Sequence, residues 1–253
     1  MRTAAVGHQC VECVQAGART IRQPRTTTPR LGGRQRSDMP AVTYALIAIN
    51  VAAFIAQMAS GNLERQLTLW PPAVADGQLY RLATAAFLHY GATHLLLNMW
   101  ALYVVGPPLE MWLGRLRFGA LYALSGLGGS VLVYLLSPLN TATAGASGAI
   151  FGLFGATFVV AKRLTLDVRW VVAVIVINLV FTFVVPAVSS QLISWQAHVG
   201  GLVTGGAVAA AYAYPPRERR NLIQIAVTMV ALAVFAALIW WRTNDLLAEF
   251  GGI

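Results

Sequence analysis

The sequence predicts an all-α polytopic membrane protein of seven transmembrane helices, and three observations carry that prediction. Of 253 residues, 57% are hydrophobic and only 11% are charged, where a soluble domain carries roughly 25% charged residues. The apolar residues fall into seven runs near the ~20 residues that a helix needs to cross a ~30 Å hydrocarbon core. Arginine and lysine gather between those runs rather than along a groove. A net charge of +9 therefore reads as membrane orientation, and nucleic acid is excluded as a partner.

Residues 1–39 form a basic tail, expected to be flexible around "RQPRTTTPRLGGRQRSD". No apolar run of about 7–15 residues interrupts it, so no cleavable signal peptide is expected. Cys10 and Cys13 both lie in this tail, too few for a disulfide scaffold. The predicted spans follow at 40–59, 93–109, 116–136, 147–162, 168–186, 195–213 and 221–241. With the N-terminus inside, only Arg65, Arg81 and Arg242 of the 18 lysines and arginines fall outside, which predicts a cytoplasmic N-terminus and an outer C-terminus. The connection 60–92 is the one outer loop large enough for structure of its own, and its apolar residues suit a half-embedded interfacial hairpin.

The fourth span is too short to cross. It runs from Ser147 to Lys162 and Arg163, which pin its inner end at the cytoplasmic surface, so its outer end falls below the opposite surface. The preceding "SPLNTATAGA" is too polar for lipid and is tolerable only where protein or water surrounds it. A recessed, wet pocket with Ser147 at its floor is the expected result.

Ionisable and polar groups inside spans are costly and usually functional. Here they are His94 and Asn98 in the second span and His198 in the sixth, with His89 just outside. Singly, each reads as well as packing glue, and Ser147 as a small interface residue. Their common depth changes that. The second, fourth and sixth spans all run inward, so His94, Asn98, Ser147 and His198 share the outer half of the membrane. Gly148, Gly152 and Gly155 give the fourth helix a smooth stripe, and Gly201 and Gly205 lie on the face of His198. Mated, those faces bring the serine hydroxyl within reach of the imidazole.

Such a pair performs acyl transfer. A serine hydroxyl needs a base to take its proton, and neutral histidine is the usual one near pH 7. No carboxylate lies within a turn of His198, so a Ser–His dyad is expected rather than a triad. Oxyanion donors would come from the first N–H groups of the fourth helix, those of Ser147 and Gly148 among them, and from His94 and Asn98.

These residues carry a resemblance. "GASGAIFG" resembles the GxSG nucleophile motif of rhomboid intramembrane serine proteases, "HYGATHLLLNMW" their second-helix motif and "AHVGGLVTGG" their sixth-helix motif. "GQLYRLATAAFLH" is similar to the family's outer-loop segment and "LEMWLG" to its cytoplasmic Glu/Leu-Gly turn. The resemblance implies Ser147 as nucleophile, His198 as general base, and His94 and Asn98 as oxyanion-stabilising. It places His89, Gly145 and Phe151 along the active site and has Arg81 brace the outer loop. It also implies a rhomboid-like six-helix bundle over 40–213, a seventh helix within 214–253, and single-pass transmembrane proteins as substrates, cut near the outer face of the plasma membrane. No cofactor is expected.

Two departures from the family pattern stand out. Phe151 occupies the place where many relatives have a tyrosine beneath the histidine; it keeps the stacking and loses the hydroxyl. "GHQCVEC" resembles half of an N-terminal zinc-finger module, but a structural zinc site needs four ligands, and His8, Cys10 and Cys13 are too few. No metal is expected. The competing readings are a catalytically silent relative that binds membrane clients, disfavoured by the intact polar set, and a small transporter, disfavoured by the lack of internal repeats.

Overall fold

The computed structural model describes residues 2–3, 8–10, 39–188, 193–216 and 218–250. The chain forms two units, Met1–Arg30 and Leu31–Ile253. In the first, Arg2–Thr3 (β1) pairs antiparallel with His8–Gln9 (β2), and Cys10 is exposed. Cys13 and most of the tail expected to be flexible lie outside the described residues.

The second unit is helical. Every predicted span is a helix, and their order is α1 (Ala41–Ala59), then three short helices α2 (Leu63–Leu67), α3 (Pro71–Ala75) and α4 (Arg81–Thr84), then α5 (Ala92–Leu113), α6 (Arg115–Leu136), α7 (Ser147–Arg163), α8 (Arg169–Val188), α9 (Trp195–Ala213) and α10 (Arg220–Phe250). Among the described residues three helices are long and apolar enough to cross a membrane by length and composition: α1, α6 and the Arg220–Glu249 stretch of α10. Of the others, α7 has only 17 residues, and α5 and α9 hold the polar residues that lower their hydropathy.

The connection between α1 and α5 has structure of its own, as its length led one to expect. It is a chain of short helical turns, α2 to α4, followed by a 3-10 turn at Ala85–Phe87. Pro71 and Pro72 open α3, where a missing N–H costs nothing, and Gly77 and Gly91 take positive φ of 90°, so the chain turns repeatedly along this stretch. Arg81 braces it. Its Nη1 donates to the carbonyls of Arg65 and Thr68 at 2.8 Å each, and its Nε to Gln78 Oε1 at 2.8 Å.

Helix α7 forms the centre of the bundle, packed by α5, α6 and α9, with nearly all of its residues from Gly148 to Ala161 buried. Lipid supplies no hydrophobic force between helices, so close backbone approach must do the work. A methyl group on Gly201 would overlap the carbonyl oxygen of Gly148, and one on Gly205 would overlap that of Gly152. The two helices meet backbone to backbone. On the side of α7 towards α6, a methyl on Gly152 would likewise overlap the Ser125 side chain.

Charge and capping hold the ends. Buried Glu110, near the end of α5, caps α1 from outside: its carboxylate accepts from the N–H of Val42 at 3.0 Å, the N–H of Thr43 at 2.8 Å and the Thr43 hydroxyl at 2.8 Å. A negative charge complements the orphan donors of a helix start. Lys162 and Arg163 sit in the last turn of α7, where positive charge is favourable. Helix α10 is tied at both ends. Gln224 Nε2 donates to the Tyr212 carbonyl at 2.9 Å, and the Tyr134 and Thr243 hydroxyls meet at 2.8 Å. Leu246 is buried in a cluster with Leu69 and Val74 of the outer loop.

Candidate active site

Two helix starts converge here. Helix α7 begins at Ser147, and its N-cap residue Ala146 offers no side-chain hydrogen bond, so the first amides of the helix, including those of Ser147 and Gly148, keep no capping partner within it. Helix α9 begins at Trp195; the Ser194 hydroxyl caps it by accepting from the Ala197 N–H at 3.3 Å. That cap sets His198 one turn into the helix. With α7 and α9 in backbone contact, Ser147 Oγ lies 3.0 Å from His198 Nε2.

The polar loop before Ser147 is held by protein rather than lipid. Leu69 and Thr143 exchange backbone bonds at 3.0 and 2.8 Å, the Gly145 N–H donates to the Ala85 carbonyl at 2.9 Å, and the Tyr90 hydroxyl donates to the Ala142 carbonyl at 3.1 Å. The outer loop thus satisfies backbone groups that membrane would leave bare. Gly145 has φ of 136°, a conformation that favours glycine. A methyl there would also meet the His94 imidazole, 2.8 Å from Cε1 and 3.0 Å from Nε2. Beside it lies a cavity of about 20 Å³ lined by Gly145, Gly148, Gly126, Ser130 and Leu69, room for about one water.

His94 is brought to the serine by α5. The Tyr90 N–H donates to its Nδ1 in a long contact of 3.4 Å, an arrangement that favours the ring proton on Nε2, the nitrogen beside Gly145. His89 is fully buried, its ring edge-on to His94 at 5.1 Å between centroids. Its backbone is clamped by Gln57 of α1, which donates to the His89 carbonyl at 2.9 Å and accepts from its N–H at 3.1 Å. Burial, with the neighbouring His94 adding to it, pushes the His89 imidazole down to about 4, so it is neutral at pH 7. Asn98 is buried, and one Nδ2 hydrogen goes to the His94 carbonyl at 2.9 Å; the other remains. Phe151, one turn beyond Ser147, stacks on His198 at 4.0 Å.

Sequence reasoning missed two residues. Gln57 fixes the His89 loop, and Thr182 of α8 stands 2.7 Å from His198 Nδ1. The available signal for Thr182 was the pair Asn178 and Thr182, one turn apart in an otherwise apolar run.

A conserved-domain model described as the rhomboid domain matches residues 76–216, more than half of the chain. The chain belongs to the rhomboid family. It is similar to "Rhomboid protease GluP" of Bacillus subtilis (strain 168), 34% identical over 212 residues that cover 79% of this chain and 40% of the relative. It is also similar to "Putative rhomboid protease YdcA" of the same organism, 39% identical over 148 residues, 58% of this chain and 73% of the relative. "RHOMBOID-like protein 6, mitochondrial" of Arabidopsis thaliana is 36% identical over 153 residues, 58% of this chain and 48% of the relative. The chain thus spans less than half the length of two of these three relatives. As a rhomboid with its long apolar helices, it is a multi-pass membrane protein.

Proposed function

We propose that this rhomboid is an intramembrane serine endopeptidase that cleaves transmembrane segments of single-pass membrane proteins near the outer face, by a Ser147–His198 dyad. The observation that carries the proposal is the 3.0 Å approach of Ser147 Oγ to His198 Nε2 at the uncapped start of α7. The names of the two Bacillus relatives, one a rhomboid protease and the other a putative rhomboid protease, support the proteolytic reading.

In the proposed reaction His198 Nε2 takes the proton of Ser147 as Oγ attacks the scissile carbonyl. The oxyanion that forms is held by the amides of Ser147 and Gly148, by His94 Nε2–H and by the second hydrogen of Asn98 Nδ2. Collapse breaks the C–N bond, and His198 returns the proton to the leaving amine. A water then gives a proton to the same nitrogen as its oxygen attacks the acyl-serine ester. His198 returns that proton to Ser147 Oγ as the acyl C–O bond breaks, releasing the carboxylic acid and the free serine hydroxyl. Gly145 admits the His94 ring, and His89 and Phe151 line the site. The chemistry calls for no cofactor.

The same reading assigns 1–39 as a cytoplasmic tail, 40–213 as the six-helix protease core, and 214–253 as a linker with a seventh transmembrane helix. It puts the protein in the plasma membrane with the C-terminus outside. The direct test is labelling of detergent-purified protein by a fluorophosphonate serine-hydrolase probe. Labelling of the wild type and none of Ser147→Ala or His198→Ala is expected. A wild type that is folded yet unlabelled would leave a catalytically silent client-binding protein instead.

A further inference from the structure

Among the described residues no carboxylate is bonded to His198, yet the base is not unsupported. His198 Nδ1 faces the hydroxyl of Thr182 at 2.7 Å, both residues being buried. Thr182 also reaches back one turn, its Oγ1 donating to the Asn178 carbonyl at 2.8 Å. A threonine hydroxyl has one proton. With that proton committed to the carbonyl, the oxygen can only accept from His198, so Nδ1 carries the ring hydrogen. Nε2 is then left with its lone pair, 3.0 Å from Ser147 Oγ. That is the tautomer a general base requires.

We propose that Thr182 is a positioning residue for the proposed proteolysis, holding His198 in the Nδ1–H tautomer and aiming Nε2 at Ser147. The inference rests on the Ser147–His198 reading above. It gives Ser147, His198, Thr182 and the Asn178 carbonyl one direction of hydrogen-bond donation, starting at the nucleophile and ending at the carbonyl. The placement on α8 is specific. Thr182 is 2% exposed, while its neighbours Phe181 and Phe183 are 60% and 56% exposed, so the helix presents apolar groups outward and this one hydroxyl inward. Thr182 also complements the stack of Phe151 on the same imidazole: one contact fixes the ring plane, the other its rotation within that plane. The base is therefore complete only while α8 is seated against α9.

The test compares Thr182→Val, which keeps the shape and removes the hydroxyl, with Thr182→Ser, which restores it. Cleavage of a transmembrane model substrate by the full chain should show kcat at least threefold lower for Thr182→Val, and about tenfold is expected for one lost neutral hydrogen bond. KM should be unchanged, and Thr182→Ser should recover kcat. In the wild type, ¹⁵N NMR of His198 should report hydrogen on Nδ1, and Thr182→Val should lose that bias. A kcat loss below threefold, or a wild-type ring protonated on Nε2, overturns the inference; the wild-type spectrum decides alone if the valine variant does not fold. Ser147→Ala run alongside separates the two failures. Cleavage that needs Ser147 but ignores Thr182 sinks only this inference, whereas cleavage that survives Ser147→Ala sinks the dyad itself.

Discussion

The ring of Phe151 lies flat on the imidazole of His198, centroids 4.0 Å apart and planes within 10° of parallel. Phe151 shares a helix face with Ser147 one turn away, so α7 supplies both the candidate nucleophile and the surface on which the candidate base rests. Such aromatic pairs contribute ~0.5–1.5 kcal/mol beyond burial. Phe151→Leu keeps an apolar side chain and removes the plane. Its kcat should fall by up to about tenfold at a stability cost of ~1 kcal/mol, read by substrate cleavage and thermal unfolding in detergent. Full activity in Phe151→Leu would mean the stack does not orient the ring.

The contact between α7 and α9 leaves no room at Gly201, where an added methyl would overlap the Gly148 carbonyl, whereas nothing lies within 4 Å of one at Gly206. Gly201→Ala should therefore push the helices apart, costing ~1–3 kcal/mol and lengthening the Ser147–His198 approach. Gly206→Ala should gain up to ~1 kcal/mol from helix propensity. Paired unfolding curves check this; equal stability of the two variants would mean the backbones are not in contact.

Most of the helical plan could be read from the chain, because apolar runs bounded by Arg115, Lys162, Arg163, Arg169 and Arg220 leave little freedom in where helices lie. The glycine faces were legible for the same reason: a spacing of four puts Gly201 and Gly205 on the side of His198. The outer loop was legible only in part. Its apolar residues suggested an interfacial hairpin without showing that Pro71 and Pro72 start a helix, and the family resemblance named Arg81 as its brace, but only the fold shows which distant carbonyls Arg81 bonds. Thr182 was hidden differently. A threonine that bonds its own i−4 carbonyl is ordinary in an apolar helix, and only the fold brings residue 182 to residue 198.

Orientation is predicted from charge alone. A periplasmic-type reporter fused after Ile253 should be active and one fused after Arg220 inactive, since α10 lies between them and only Arg65, Arg81 and Arg242 fall on the outer side. The reverse pattern would sink both the seven-span count and the side on which the pocket opens.

Ser147 and Asn98 are expected to differ in kind. If Ser147 is the nucleophile, Ser147→Ala removes the only atom that forms a bond to substrate, and cleavage should fall by several powers of ten, as when the nucleophile of a serine-protease triad is removed. The fold should survive, because alanine deletes one hydroxyl and adds nothing beside Gly145 and Gly148. Asn98 is proposed as one oxyanion donor among several, so Asn98→Ala should cost about 100- to 1,000-fold. The assay needs a substrate whose transmembrane helix carries small or helix-breaking residues near its outer end, since a helical peptide bond is shielded by its own turns and must unwind before Ser147 can reach it. Both variants must first match the wild type in thermal unfolding. If Ser147→Ala then cleaves as fast as Asn98→Ala, Ser147 is not the nucleophile and the proteolytic reading of this rhomboid falls.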